Sequence, residues 1–275
     1  MESTQCVRAG HRRVIDPCGQ VAFGLANELR AFDQAFRLVH DQYVRRGYTE
    51  PHPSGRRITD HHRLPSTRVF VAEAGREVIG TVTLIEDSTA GLPMDEIYRE
   101  ELAQLRTATP RIAEVSALAA DSQRRPAGVG VLMGLMRVLV IYAAEFARLD
   151  HLCIAVNPRH VPFYTTVLQF RQFGPRKAFP KVNGAPAVAL HLELGFVRNL
   201  IRIGETGYEF ADDVYRFFFG RPNVRDAVYR LATTLPGSIL KPSQLAALVE
   251  DAALRVDRAA PVSVPAGRPF AGAIA

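Results

Sequence analysis

Apolar residues change their spacing several times along the chain, which predicts a domain that mixes strands and helices. They alternate over residues 21–25, which indicates a strand, and recur at helical spacing over 32–43. Gly47 is a natural stop for that helix, whereas residues 49–66 show no period and are expected to form a loop. The same reasoning predicts strands at 68–73, 78–85, 111–120, 151–156, 170–174 and 187–194, and helices at 93–106, 128–149 and 162–168.

This order of elements predicts an α/β fold with a mixed central sheet flanked by helices. It differs from the strict alternation of strand and helix in a doubly wound sheet. Helical patterns at 208–219, 224–235 and 242–256 then indicate a helical C-terminal extension. The predicted organisation is an N-terminal segment 1–19, a main domain 20–195, the extension 196–258, and a tail 259–275 that is expected to be disordered.

The composition fits a folded globular protein with a basic surface. The 275 residues are 47% hydrophobic and 23% charged, and the formal net charge is +6. This charge fits an acidic protein partner, an anionic membrane surface or nucleic acid, and equally an ordinary basic surface. The positive residues occur in small clusters such as Arg56-Arg57 and Arg124-Arg125 rather than in one block.

No stretch has the pattern of a signal peptide or of a membrane span. The first twenty residues contain no apolar core. The longest apolar stretch, 129–147, is interrupted by Arg137 and carries Glu145, so we expect a buried core helix. The three cysteines have no paired spacing, and Cys153 is expected to be a small buried residue. This cysteine usage favours a cytoplasmic protein.

One glycine-containing motif has the features of a phosphate-binding loop. Arg125, Gly128 and Gly130 form an R-x-x-G-x-G between a predicted strand and the long apolar helix, with Arg124 beside it. Glycine allows close approach of the backbone to a phosphate, and the start of a helix favours an anion. The motif therefore predicts a site for a pantetheine or pyrophosphate arm; the alternative is an ordinary loop at a helix start.

The strand before this loop carries a carboxylate and a hydroxyl on one face. Glu114 and Ser116 lie two residues apart, so both side chains project to the same side of the strand. Burial of a carboxylate raises its pKa, which suits a general base that takes a proton from an ammonium group. The alternative is an ion pair between Glu114 and a core arginine. We predict that Glu114 and Ser116 are catalytic.

A third group of polar residues follows the strand at 151–156. Asn157 and His160 lie just past its end, and Tyr164 comes shortly after them. Loops at strand ends are common ligand sites, and His160 or Tyr164 can donate a proton to a leaving thiolate. The alternative is a turn followed by a core aromatic residue. Asn183-Gly184, further along, indicates a tight turn.

The sequence indicates no metal site and no nucleotide loop of the usual kinds. His52, His61 and His62 fit no standard zinc spacing, and few carboxylates lie near them. Neither a G-x-S-x-G elbow nor a complete Walker loop occurs. We expect no bound metal and no permanently bound cofactor.

Several blocks of sequence, taken in order, resemble one family. They are FRLVHDQYVRRGY (36–48), LPSTRVFVAE (64–73), VIGTVTLIEDSTAGLPMDEIY (78–98), ELAQLR (101–106), AEVSALA (113–119), VNPRHVPFY (156–164) and VNGAPAVAL (182–190). Together they look like the FeeM-type N-acyl amino acid synthases, which are similar in fold to GNAT acyltransferases and to acyl-homoserine lactone synthases. The R-x-x-G-x-G likewise resembles the acyl-CoA loop of GNAT enzymes. The resemblance covers about residues 20–195.

The resemblance implies a GNAT-like fold and the transfer of a long-chain acyl group to the α-amine of an amino acid. Glu114 matches the carboxylate that deprotonates the amine. Arg37 matches an arginine of the lactone synthases and is expected to bind the amino acid carboxylate, with Asn157 and His160 as further substrate-binding residues. Tyr164 is expected to act with Glu114 and Ser116 in catalysis.

The resemblance also implies an acyl-phosphopantetheine donor on an acyl carrier protein, or acyl-CoA, held by Arg124, Arg125, Gly128 and Gly130. Carrier proteins are acidic, so the positive net charge fits such a partner. Nucleic acid is not an expected partner, and peripheral membrane contact through a lipid product is left open. The alternatives are a GNAT acetyltransferase that uses acetyl-CoA, and a non-enzymatic binding module.

Overall fold

The computed structural model of the protein describes residues 21–108, 111–121 and 128–256. The predicted N-terminal segment, the predicted tail, Arg124 and Arg125 lie outside these residues. Eight strands form the sheet: β1 Val21–Leu25, β2 Thr67–Ala74, β3 Glu77–Glu86, β4 Ile112–Ala120, β5 His151–Val156, β6 Arg171–Gln172, β7 Lys177–Phe179 and β8 Ala185–Glu193. Eight helices accompany them: α1 Leu29–Arg45, α2 Asp95–Ala108, α3 Val129–Ile141, α4 Val161–Thr166, α5 Leu194–Glu205, α6 Asp213–Phe219, α7 Arg221–Thr234 and α8 Pro242–Val256.

The strands lie in the order β1-β2-β3-β4-β5-β8-β6, and β7 also pairs with β8. All neighbouring pairs are antiparallel except β4 and β5, which are parallel. The sheet is therefore mixed, as predicted, and its one parallel pair lies near the middle. Parallel neighbours need a crossover, and α3 supplies it between β4 and β5.

Alternating residues of β2 divide the hydrophobic core between the two faces of the sheet. Phe70 and Ala72 belong to a large cluster with α3, whereas Val69 and Val71 belong to a second cluster with α1. α1 and α3 therefore cover opposite faces. A third cluster, around Tyr98 of α2, covers the part of the sheet near β5 and β8.

The predicted core helix is confirmed. Residues 131–144 are buried, and the helix continues past α3 as a π-helical turn, Tyr142–Phe146. By length and composition alone Val129–Phe146 could cross a membrane, but 78% of this window is buried inside the protein. Because this helix is apolar apart from Arg137 and Glu145 and packs on the sheet, it forms the centre of the core.

Several predicted boundaries needed correction. The strand predicted at 170–174 is reduced to Arg171–Gln172, and an unpredicted strand, Lys177–Phe179, pairs with β8. The helix predicted at 208–219 begins only at Asp213, because the Asp212 side chain accepts hydrogen bonds from the backbone N–H groups that follow it. A helix, α5, also begins directly after β8 without an intervening loop.

Tight turns join two pairs of neighbouring strands, and the turn at Asn183-Gly184 was predicted correctly. β2 and β3 join through Gly75-Arg76, with Ala74 paired to Glu77. Asn183 and Gly184 both have positive φ and join β7 to β8. Such backbone angles favour asparagine and glycine, so these two residue types predict a turn from the local sequence alone.

Replacement of Gly134 by alanine should lower the free energy of unfolding, because α3 crosses β1 in close contact. A Cβ at Gly134 would overlap the Phe23 ring, and overpacking of a core costs about 1–3 kcal/mol. The higher helix propensity of alanine, about 1 kcal/mol over glycine, offsets part of this loss. Urea denaturation measures the net change.

Gly195→Ala is the matched control in another helix. A Cβ there meets only the Glu193 side chain, at 3.4 Å, so this variant should be as stable as the wild type or more stable. Equal stability of the two variants would contradict the close packing of α3 on β1.

Candidate active site

A cavity opens where β4 and β5 part. The two strands pair only through Ile112–His151, Ala113–Leu152 and Glu114–Cys153. Beyond these residues β4 stays with β3, and β5 stays with β8. The cavity between them has a volume of about 390 Å³, within the usual range for small-molecule sites. From the two parted strands and the residue after β5, the lining includes Glu114, Val115, Ser116, Ala117, Leu118, Ile154, Ala155, Val156 and Asn157.

A β-bulge directs β4 away from β5. Thr83 pairs with Ser116 and Thr81 with Ala119, so two residues of β4 oppose the single residue Val82 of β3. Ala117 has a φ of +51°, which is uncommon for a residue with a side chain. Bulges bend a strand and often occur beside active sites. The bulge thus exposes successive residues of β4 to the cavity.

Glu114 lies at the point where the strands part. It lines the cavity, yet its residue is only 3% exposed. Its Oε2 accepts a hydrogen bond of 2.8 Å from the Met94 N–H. Burial raises the pKa of Glu114 to about 8, although the Met94 N–H and the positive charge of Lys181 both act to lower it. The side chain can therefore exchange a proton near neutral pH, as a general base requires.

Three other predicted residues line the same cavity. Ser116 follows Glu114 on β4, Asn157 follows β5, and Tyr164 reaches the cavity from α4. Burial raises the pKa of Tyr164, and neighbouring Tyr43 adds to this shift, so the phenol keeps its proton at neutral pH. The Asn157 Oδ1 accepts from the Arg159 N–H at 3.2 Å and caps the following turn. The structure thus groups one buried carboxyl group with one buried phenol.

The other two predicted substrate-binding residues do not line the cavity. The Arg37 Nε donates to the Asp33 Oδ2 at 3.0 Å, within α1. His160 is buried, and its Nε2 accepts from the Arg159 Nε at 3.0 Å. Their predicted contacts with substrate stay predictions, since both side chains take part in interactions outside the cavity lining.

The glycine motif is described only in part. β4 ends at Ala120 and α3 begins at Val129, so Gly128 and Gly130 lie at the helix start, as predicted. Gly128 has a φ of +105°, a conformation that favours glycine. Neither glycine lines the cavity. Binding of a pantetheine arm at this motif stays a prediction.

A cationic wall was not predicted from the sequence. Arg46, Arg57 and Lys181 line the cavity together with two acidic residues, Glu114 and Asp60. Burial lowers the pKa of His62, another lining residue, to about 4, so this ring is neutral at pH 7. Positive charge therefore predominates around a buried proton acceptor.

Arg57 is fixed by contacts on two sides. Its guanidinium carbon lies 4.8 Å from the centre of the Tyr43 ring, and its Nη2 donates to the Lys181 carbonyl at 3.1 Å. Arg57 also lines the cavity. Its signals in the sequence were the Arg56-Arg57 pair and its place in a long loop without period, and such loops often carry functional residues.

The chain is similar in sequence and fold to known proteins. The sequence matches the family described as N-acyl amino acid synthase FeeM over residues 34–193, more than half of the chain. The structure of FeeM, an N-acyl amino acid synthase from uncultured soil microbes, is similar with 31% identity and a TM-score of 0.57, over 65% of this chain and 93% of that chain. The AHL synthase LasI is 21% identical with a TM-score of 0.49, over 63% and 89%. No curated protein matches the chain.

The raised pKa of Glu114 predicts that the protein becomes less stable as the pH rises from about 4.5 to about 8. Over this range the folded state holds a proton on Glu114 that the unfolded state has released, so raising the pH favours unfolding. Glu114→Gln keeps an oxygen for the Met94 N–H and should remove this part of the pH dependence. Urea denaturation at several pH values measures the effect.

Glu100→Gln, at an exposed position on α2, is the control for loss of a carboxylate. It should retain the wild-type pH dependence of stability. If the Glu114 variant also retains it, the burial of an ionisable Glu114 is refuted.

Proposed function

The chain belongs to the FeeM family of N-acyl amino acid synthases and is an acyltransferase, and we propose that it transfers a long-chain acyl group from an acyl carrier protein to the α-amine of an amino acid. The observation that carries this proposal is a buried carboxyl group, Glu114, in a cavity with a mainly cationic wall. We also propose that the reaction takes place in the cytoplasm. The lipid product would bring the protein into peripheral contact with a membrane surface.

Glu114 and Tyr164 supply the proton acceptor and the proton donor in the proposed reaction. Glu114 accepts a proton from the ammonium group of the amino acid, which frees the nitrogen lone pair to attack the thioester carbonyl. The new C–N bond forms, the C–S bond breaks, and Tyr164 gives its proton to the departing thiolate. The nitrogen loses its second proton as the amide forms, and this proton restores the phenol of Tyr164. The products are an N-acyl amino acid, the free thiol of the donor, and one proton that Glu114 releases to solvent.

The cationic wall supports an acceptor that carries a carboxylate. The charged residues of the lining are Arg46, Arg57 and Lys181 against Glu114 and Asp60. A guanidinium can donate charge-assisted hydrogen bonds to a carboxylate, and these bonds fix the orientation of the carboxylate. Arg57 takes this role in the proposal, because the Tyr43 ring and the Lys181 carbonyl hold its guanidinium at the cavity.

The apolar part of the lining supports a donor larger than acetyl. Ile58, Ile85, Val115 and Leu118 share the cavity with Glu114, and polar ligands gain little from such side chains. The net charge of +6 supports an acidic carrier protein as the source of this donor.

Expression of the chain in a bacterial host should produce new N-acyl amino acids that vanish with Glu114→Gln, because the amide removes the proton acceptor. Mass spectrometry of lipid extracts detects the products and identifies both the amino acid and the acyl group. Soluble wild-type protein without such lipids, but with acetyl-CoA turnover, would replace the proposal with an acetyltransferase. Purified protein supplied with acyl carrier protein thioester or acyl-CoA then distinguishes the two donors.

Arg57→Ala should raise the KM for the amino acid by about ten- to a hundredfold, since a hydrogen bond to a charged group contributes about 1.5–3 kcal/mol. Arg63→Ala is the matched control, because it removes a cation six residues further along whose side chain is 68% exposed and does not line the cavity. Steady-state kinetics with the amino acid as the varied substrate measures both. If the KM of Arg57→Ala for the amino acid stays within about twofold of the wild-type value, another cation binds the carboxylate of the amino acid.

A further inference from the structure

The C-terminal helices pass from one face of the sheet to the other. Leu231 of α7 belongs to the core cluster around α3, whereas Leu248 of α8 belongs to the cluster around α1. Between them the chain passes β1, where the Thr234 Oγ1 accepts from the Leu25 N–H at 3.0 Å. The family match ends at residue 193, so all of these helices lie beyond it. α8 thus reaches the face of α1 by a path that the matched region does not contain.

α8 lies behind one wall of the catalytic cavity. Residues 57–62, termed here the wall segment, all line that cavity. Ile58 of this segment also packs against the cluster that contains Leu248 and Phe36. A second cavity of about 290 Å³ lies behind the wall segment, with residues 57–60 on one side and Leu248 and Val249 on the other. The wall segment therefore separates two cavities, and α8 supports it from behind.

The wall segment is joined to several parts of the fold. A short 3₁₀ turn, Asp60–Arg63, is its only regular structure. From α1, Phe36 holds it through its carbonyl, which accepts from the Arg57 N–H at 3.0 Å, and through an edge contact with the His62 ring, whose centre lies 4.7 Å from that of the Phe36 ring. The Arg57 Nη2 donates to the Lys181 carbonyl at 3.1 Å, and the Thr67 Oγ1 donates to the His61 carbonyl at 2.6 Å. Ile58 joins the segment to the apolar cluster of α1 and α8, so Leu248 supplies part of the packing behind it.

We propose that α8 sets the position of the wall segment and that Leu248 is a positioning residue for the acceptor side of the cavity. Arg57 is part of the wall segment, so the position of this wall decides where an acceptor carboxylate is held. The assignment to the acceptor rests on the proposed function. In the proposed function the acyl donor lies against β4 and β5, and no residue of these two strands belongs to the cluster that contains Leu248.

Leu248→Ala should raise the KM for the amino acid by about tenfold, while kcat and the KM for the acyl donor stay within about twofold. Leu231→Ala is the matched control, since it makes the same truncation at an equally buried leucine of the same extension. It should lower thermal stability without this change in KM. Leu248→Met, which keeps the apolar volume, should restore the wild-type KM.

Hydrogen exchange tests the same inference without turnover. Amides of residues 57–62 should exchange faster in Leu248→Ala than in wild type, and at the wild-type rate in Leu231→Ala. If Leu248→Ala and Leu231→Ala change the exchange rates of residues 57–62 and the KM for the amino acid to the same extent, the positioning role of Leu248 is overturned. If the wild type forms no N-acyl amino acid, the proposed function fails, and the exchange comparison still decides whether α8 orders the wall segment.

Discussion

The early end of the pairing between β4 and β5 is the constraint on which the rest of the site depends. Backbone N–H and C=O groups normally find partners in a neighbouring strand. Here the register stops at Glu114 and Cys153, and each strand continues with its other neighbour. The bulge at Ala117 completes the separation. The sheet therefore gives up part of its own hydrogen bonding and gains a cavity whose edges can bind a ligand.

The same geometry produces the electrostatics of the site. Glu114 is the last residue of β4 that pairs with β5, so its carboxyl group lies at the closed end of the opening and is shielded from water. Shielding raises its pKa, and the Met94 N–H limits that rise by its hydrogen bond to the ionised form. Arg57 and Lys181 come from segments that fold over the opening. A buried carboxyl group and a cationic wall are thus combined in one cavity.

A buried arginine makes the C-terminal extension an integral part of the fold. Arg137 lies in the middle of α3 and is 2% exposed. Its Nη2 lies 3.7 Å from the Asp226 Oδ2 of α7, and its guanidinium carbon lies 4.7 Å from the centre of the Phe217 ring of α6. A buried charge without compensation is strongly destabilising. α6 and α7 therefore complete the core of this chain beyond the region that matches the family, whereas α8 contacts the opposite face.

The sequence by itself determined the features that depend on neighbouring residues. Apolar periods predicted α3 and the strands other than β7, the Asn183-Gly184 pair predicted its turn, and alternation placed Glu114 on the same strand face as Ser116. Only the tertiary structure decided which loop completes the cavity, because Arg57 and Lys181 are separated by 124 residues and meet through one hydrogen bond. A loop without period carries no local signal of its distant partner. The buried carboxyl group of Glu114 could thus be placed from the strand pattern, whereas the cationic wall beside it came from contacts that exist only in the folded chain.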